Sequence, residues 1–135
     1  MPKTILIVDD NDLLRTTLSV LLTAHIEDVS LVEAANGVDA IEKAKTNPPD
    51  LIVLDLAMPE MNGLLAAPVL KQLAPKAPVL LFTLYAGEVR EPYRFGVDVV
   101  VPKAEGAGTF LNAVRELLAH SAAPPAAAAH GVPLT

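Results

Sequence analysis

The sequence predicts an α/β protein in which a doubly wound parallel sheet is covered by helices on both faces. Three short runs are apolar throughout, without the alternation typical of a strand that is exposed on one face. Helical stripes of leucine, valine and alanine lie between these runs, so strand and helix alternate along the chain. That order requires right-handed crossover connections and favours a three-layer α/β/α domain.

Five strands are expected, and each is a short segment of aliphatic, mostly β-branched residues. The second is the weakest candidate, because it contains polar residues. In chain order the predicted strands are 5–8, 29–33, 51–54, 79–82 and 97–101.

Five helices are expected between and after these strands. The first follows Asp12, a candidate N-cap, and the third spans 64–73. The fourth, near 87–94, is doubtful because it contains Pro92, which would shorten or kink it. A proline costs about 3 kcal/mol in a helix interior, and Pro68 escapes part of that cost only in the first turn of its helix. The apolar stripes of the first, second and fifth helices are Leu14, Leu18, Leu21 and Leu22; Val38, Ile41 and Ala44; and Phe110, Leu111, Val114, Leu117 and Leu118.

Composition limits the function further. A chain of 135 residues suits one domain, placed at 1–120, and the Ala/Pro-rich segment 121–135 is interpreted as a linker or tail. The net charge of -6 argues against nucleic-acid contact by this chain itself. The absence of cysteine excludes disulfides and thiolate metal sites. No apolar run or leader suits a membrane span or secretory signal, so we expect a cytoplasmic protein.

Polar side chains follow four of the predicted strands. Asp9 and Asp10 follow the first, Asp55 the third, Thr83 the fourth and Lys103 the fifth. Each alone could be a turn residue, a cap or a surface charge. Together they should share the carboxyl edge of the sheet, where open α/β sheets bind ligands. Carboxylates about 4 Å apart repel by about 4 kcal/mol at an effective dielectric of 20, so they need cations. All-oxygen ligands suit Mg²⁺.

This ordered set of residues resembles the receiver domain of two-component response regulators, over about 3–119. The acid pair, the acceptor position Asp55, the threonine and the lysine all match, as does the loop Met58-Pro59-Glu60-Met61-Asn62-Gly63. The resemblance implies a flavodoxin-like sheet with strand order 2-1-3-4-5. It also implies a phosphoacceptor module that switches the interactions of a partner or output domain. Beyond self-catalysed phosphotransfer and slow autodephosphorylation, no enzymatic activity is expected.

The resemblance also implies individual roles. Asp55 would accept a phosphoryl group from a histidine kinase or phosphotransfer protein. Asp10, Asp55 and the backbone carbonyl of Ala57 would ligate Mg²⁺, and Asp9 would act mainly through a metal-bound water. The resemblance is also compatible with a homodimer. The residues expected to bind phosphoryl oxygens are Thr83 and Lys103.

Two departures from the family pattern concern signalling. Val100 stands where many members carry a switch aromatic, so the switch would fall to Thr83, with Tyr85 as a substitute for the aromatic. Ala104 follows Lys103 where many members have a cis-proline, which leaves the isomer of that bond open. Members coupled to LuxR-type DNA-binding domains often lack this proline. The chain is therefore either free-standing or the N-terminal part of a DNA-binding transcriptional regulator.

Three other functions are compatible with a parallel sheet that carries an aspartate at a strand end. A haloacid-dehalogenase-type hydrolase needs a second aspartate at position 57, which is Ala57 here. A flavin-binding flavodoxin needs a first loop rich in Ser, Thr and Gly, whereas the acidic loop here would repel phosphate. The third rival is a pseudo-receiver that acts as a phosphorylation-independent interaction module. The complete acid set argues against it.

Overall fold

A single sheet of five parallel strands forms the centre of the molecule, in the order β2-β1-β3-β4-β5. The structure is a computed structural model that describes residues 2–58 and 61–120; the predicted linker 121–135 lies outside them. The fold class and strand order implied by the resemblance are confirmed. The strands are β1 (Lys3–Val8), β2 (Val29–Ala34), β3 (Leu51–Leu54), β4 (Val79–Thr83) and β5 (Val99–Pro102), and the helices are α1 (Asp12–His25), α2 (Gly37–Thr46), α3 (Gly63–Leu73) and α4 (Gly106–His120).

Apolar residues fill both faces of the sheet, which explains why three strands show no alternation. Side chains of one parity pack against α2 and α3, and those of the other parity pack against α1 and α4. In β3, for example, Ile52 and Leu54 face the first helix pair, while Leu51 and Val53 face the second. The described part of the chain contains no helix long and apolar enough to cross a membrane.

The fifth strand begins two residues later than predicted. Val97 and Asp98 precede it, and the side chain of Asp98 forms hydrogen bonds to neighbouring elements. Its Oδ2 accepts hydrogen bonds from Lys71 Nζ and from the amide of Val79, both at 2.7 Å. The carboxylate therefore joins α3 to the start of β4, and regular pairing with β4 begins after it.

Two details of the predicted helices are wrong. Asn11, not Asp12, caps α1, because its side chain accepts the amide of Leu14 at 3.0 Å. Asp12 is the first helical residue. In α2 only Val38 of the predicted stripe is wrong, since it is 49% exposed, whereas Ala44 is buried and Ile41 packs against the core as predicted. The small residues Gly37 and Ala40 complete the buried face, and hydropathy alone does not reveal them.

The predicted α-helix near 87–94 is absent, and two 3₁₀ turns replace it, Ala86–Glu88 and Pro92–Phe95. Glu91 between them adopts a left-handed conformation with φ 46°. Pro92 has no amide hydrogen to continue a helix, but its fixed φ suits the first position of a turn. The prediction of a fourth α-helix that Pro92 shortens or kinks is therefore wrong, because no α-helix forms in the described residues between β4 and β5.

Pro68 lies in the interior of α3, not in its first turn. Its ring is exposed to solvent. Because proline donates no amide hydrogen, the carbonyl of Leu64 has no helical partner one turn later. The helix therefore forms despite this residue, through burial of Ala66, Ala67 and Leu70.

Replacing Pro68 by alanine should stabilise the protein. Alanine restores the amide donor in the middle of α3, which stabilises the folded state. The unfolded chain also gains some freedom, which offsets part of this gain, so we expect a net increase of about 1–3 kcal/mol in the free energy of unfolding. Urea denaturation followed by circular dichroism measures it. Pro92→Ala is the matched control and should destabilise, because Pro92 is buried and begins a turn. An unchanged or lower stability for Pro68→Ala would contradict the account.

Candidate functional site

Three of the predicted site residues meet at the carboxyl edge of the sheet. Asp9, Asp55 and Lys103 each follow directly after a strand, β1, β3 and β5 respectively. All three continue the parity of the strand residues that pack against α1 and α4. In the sheet β1 and β3 are neighbours, and β4 separates β3 from β5. The long side chain of Lys103 therefore extends across β4 to reach the two aspartates.

An ammonium group joins two buried carboxylates at this edge. Lys103 Nζ lies 3.1 Å from Asp9 Oδ2 and 3.5 Å from Asp55 Oδ1. The side chains of Lys103, Asp9 and Asp55 are 14%, 4% and 9% exposed. The other oxygen of Asp9, Oδ1, accepts the amide of Asn11 at 2.9 Å. Charges this poorly hydrated remain stable only if they are paired and hydrogen-bonded, as here.

A third carboxylate, Asp10, completes a candidate metal site. Carboxylate oxygens of Asp9, Asp10 and Asp55 all lie within 4.8 Å of one another. Asp10 is exposed, and among the described residues its side chain has no hydrogen-bond or ion-pair partner. An all-oxygen donor set that opens to water suits Mg²⁺, which retains several waters when bound. The carbonyl of Ala57 as a further ligand stays a prediction.

The pKa of Asp55 is shifted by the surroundings of its side chain. Burial raises the pKa of its carboxyl group above the usual value, because the ionised form loses hydration. The positive charge of Lys103 acts in the opposite direction, and the negative charge of Asp9 raises the pKa further. Without a metal, the site therefore destabilises the ionised form of Asp55, which is the form that acts as a nucleophile.

Thr83 lies on the same edge but faces the other side of the sheet. It ends β4 and is fully buried, and its Oγ1 accepts the amide of Tyr85 at 3.0 Å. In the described residues no hydrogen bond joins it to Asp55 or Lys103. Val100 is half-buried against the core that contains α2 and α3. The switch roles of Thr83 and Val100 stay predictions.

An aromatic platform under Lys103 was not found from the sequence. Lys103 Nζ lies 5.9 Å from the centroid of the Phe82 ring. The centroid of that ring lies 4.6 Å from that of Phe110 in α4, with the two ring planes tilted by 34°. The order of strands and the parity of Phe82 would have placed it there. No described peptide bond is cis, so the bond to Ala104 is trans. A 3₁₀ turn, Lys103–Glu105, follows the strand.

Gly63 fixes the loop that follows Asp55. Its amide donates to the carbonyl of Leu56 at 2.8 Å. A Cβ on Gly63 would lie 2.3 Å from the backbone oxygen of Asp55, closer than any side chain tolerates. Glycine is therefore required at position 63 because the backbone of Asp55 lies too close for a side chain. A left-handed conformation is not the reason, since the φ of Gly63 is not positive. The start of α3 is packed directly against the backbone of the candidate acceptor.

A family model for the response regulator receiver domain matches residues 5–115. The chain belongs to this family. The match includes all of the sheet except the first two residues of β1, and it includes the acidic edge. The resemblance seen in the sequence is thus confirmed at the level of the family.

Relatives and solved structures agree with this assignment. The response regulator protein VraR of Staphylococcus saprophyticus is 38% identical over 120 residues, 86% of this chain and 56% of the relative. The chain therefore spans about half the length of such curated relatives. The response regulator TrrA of Thermotoga maritima, solved in complex with Mg²⁺-BeF, is 29% identical with TM-score 0.77, covering 86% of this chain and 99% of that one. A LuxR-family response regulator from Aurantimonas sp. SI85-9A1 shares the fold, with TM-score 0.77 at 24% identity and coverage of 88% and 86%.

Replacing Asp55 by asparagine should stabilise the metal-free receiver domain at neutral pH. Asp55 has a raised pKa in the folded state, so its ionised form lowers the free energy of unfolding above that pKa. The penalty disappears as pH falls through the folded pKa toward the ordinary value of about 3.9. Urea denaturation in EDTA should therefore show Asp55→Asn more stable than wild type at pH 7.5, with a smaller gap at pH 4.5.

The matched control for this comparison is Asp28→Asn. Asp28 is exposed in the turn before β2, and asparagine tolerates its positive φ of 58°. It should change the free energy of unfolding by less than about 0.5 kcal/mol at either pH. A stability gap for Asp55→Asn that stays constant with pH would contradict burial of a charge as its cause.

Gly63→Ala should disturb both stability and the site. The added methyl group must displace the Asp55 carbonyl, so we expect a loss of about 1–3 kcal/mol in the free energy of unfolding. The amide resonance of Asp55 should shift in a ¹H–¹⁵N spectrum. Gly87→Ala is the control, because nothing lies within 4 Å of a Cβ there. Equal stability losses in the two variants would show that the close approach has no effect.

Proposed function

We propose that this receiver domain accepts a phosphoryl group on Asp55, with Mg²⁺ held by Asp10, Asp55 and the carbonyl of Ala57. Asp9 acts mainly through a metal-bound water. The observation that carries the proposal is the buried Asp55 carboxylate beside the Lys103 ammonium and within 4.8 Å of two further carboxylates. A receiver domain is a signalling module, and this is the one group of its described residues that combines a buried carboxylate, a cation and a metal-ligating set.

The donor is a phosphohistidine on a sensor kinase or phosphotransfer protein. An oxygen of the ionised Asp55 attacks phosphorus, the P–N bond breaks, and the imidazole leaves with that electron pair. Such a transfer depends on positioning and on neutralising charge. When bound, Mg²⁺ supplies positive charge to Asp55 and to the phosphoryl oxygens. It thereby offsets the effect of burial, which otherwise favours the protonated carboxyl.

Two residues of the edge bind the transferred group. Lys103 exchanges its contacts with Asp9 and Asp55 for one to a phosphoryl oxygen, since its flexible stem carries a compact charge. The hydroxyl of Thr83 accepts an amide, so its own proton can be donated, but Thr83 is buried on the other side of the sheet and must move to reach a phosphoryl oxygen. Ala57 is small and exposed, which leaves water a path to the acyl phosphate. The phosphorylated state is therefore transient.

The output of the switch lies with a partner or a further domain. Curated relatives are about twice as long as the matched region. Two outputs follow from the family resemblance: a free-standing receiver that binds a partner, and the N-terminal part of a DNA-binding regulator. A homodimer is an alternative output. A second candidate function is a pseudo-receiver, which Val100 and the 3₁₀ turns in place of a fourth helix keep in consideration.

Incubation with acetyl phosphate and Mg²⁺, followed by intact-mass spectrometry, tests the proposal. Wild type should gain the mass of one phosphoryl group, and EDTA should abolish the gain. Asp55→Asn should show none, whereas the matched variant Asp28→Asn should behave as wild type. Size-exclusion chromatography of the same samples detects a change of association.

The pseudo-receiver predicts a different result. In that case wild type would take up no phosphoryl group under any condition, and its mass would equal that of Asp55→Asn after correction for the substitution. A gain that persists in Asp55→Asn would instead place the acceptor on another residue. Either outcome would reject Asp55 as the acceptor.

A further inference from the structure

Arg15 makes three hydrogen bonds around the loop that carries the acid pair. Its Nη1 donates to the backbone carbonyl of Asp9 at 2.7 Å, its Nη2 to Asp12 Oδ1 at 2.6 Å, and its Nε to Glu33 Oε1 at 3.1 Å. The side chain is 14% exposed. One guanidinium therefore joins the first turn of α1, the end of β2 and the loop between β1 and α1.

We propose that Arg15 is a positioning residue, which orients the Asp9–Asp10 peptide so that both carboxylates face a bound Mg²⁺. The inference rests on the proposed function, because it concerns the same metal site. Arg15 contacts neither carboxylate of the acid pair and would not touch the metal. It acts through the carbonyl oxygen of Asp9.

The backbone geometry explains how one contact controls two side chains. The carbonyl of Asp9 and the amide of Asp10 belong to one planar peptide unit, so a bond to the oxygen fixes the plane from which Asp10 emerges. Asp9 is already held by Lys103, Asn11 and the carbonyl of Ala34. Asp10 lacks such contacts among the described residues, so its direction depends on this peptide.

The charge of Arg15 is compensated locally. Asp12 and Glu33 both lie within ion-pair distance of it, at 2.6 Å and 3.1 Å. Its positive charge is therefore not the neutralising charge of the acid site, a role that falls to Lys103. What a guanidinium offers here is a rigid fork with several donors, which an ammonium group does not reproduce.

The sequence carries part of the signal for this residue. Asp12 and Arg15 are spaced i, i+3 in the first turns of a helix, which places their side chains next to each other. Glu33 is the polar residue near the end of a strand that pairs with β1. Only the fold shows that these two carboxylates lie on either side of the same arginine.

Isothermal titration calorimetry of the full chain with MgCl₂ at pH 7.5 tests the proposal in wild type, Arg15→Lys and Arg15→Met. Lysine retains the charge but cannot make three directed bonds. Positioning predicts that both variants raise the Kd for Mg²⁺ about tenfold, the typical cost of losing a residue that orients a metal ligand. A purely electrostatic role predicts an unchanged Kd for Arg15→Lys and a lower Kd for Arg15→Met. The latter pattern would overturn the inference.

Glu33 offers a matched pair if the Arg15 variants fail to fold. Glu33→Gln and Glu33→Met remove the same charge, but only glutamine retains an oxygen acceptor for Arg15 Nε. We expect a higher Kd for Mg²⁺ in Glu33→Met than in Glu33→Gln. Equal values would overturn the proposal.

Amide hydrogen exchange in EDTA gives a readout without metal. The Asn11 amide, bonded to Asp9 Oδ1, should exchange faster in Arg15→Lys than in wild type, while Leu22 in the buried part of α1 should not change. Unchanged exchange at Asn11 would contradict the positioning role. If wild type takes up no Mg²⁺, the metal of the proposed function fails and this inference with it. If wild type binds Mg²⁺ and Arg15→Lys binds it equally well, only the inference fails.

Discussion

One ammonium group between two buried carboxylates is the constraint on which the functional edge depends. Lys103 lies 94 residues from Asp9 in the chain, and the two meet only because the parallel sheet aligns the ends of β1 and β5 at the same edge. Desolvation of these charges by the surrounding apolar strand residues is costly, and the ion pairs of Lys103 and the hydrogen bond to Asp9 offset that cost. A third carboxylate, Asp10, leaves the site with more negative than positive charge. That excess makes a divalent cation the natural complement of the fold.

The sequence predicted those features that depend on local composition. Apolar runs without alternation identified three of the strands because both faces of the sheet are covered there, and the polar residues after four of the five strands located the edge. The prediction failed where neighbours in space decide. Val38 is apolar yet exposed, whereas the small residues Ala40 and Ala44 lie on the buried face of α2. The segment 87–94 does not form an α-helix, since Glu91 adopts a left-handed conformation before Pro92.

The same distinction holds within the site. Residue type and order were sufficient to bring Asp9, Asp10, Asp55 and Lys103 together. They did not reveal the steric contact of Gly63 with the Asp55 carbonyl, which is a property of backbone packing. The position of Thr83 on the opposite face follows from strand parity and was predictable in principle. Which of its contacts change on phosphorylation depends on a second conformation that neither the residue order nor this structure contains.

The connection from β4 to β5 differs from the other crossovers. It consists of two 3₁₀ turns where the other crossovers have α-helices of ten or more residues, and hydrogen bonds within such turns have poorer geometry. Exposed Leu84, Tyr85 and Tyr93 add little burial to hold it. Local opening costs least where few buried contacts must break. This stretch therefore has few buried contacts to break when it opens, and Thr83 stands at its first end, on the same edge of the sheet as Asp9 and Asp55.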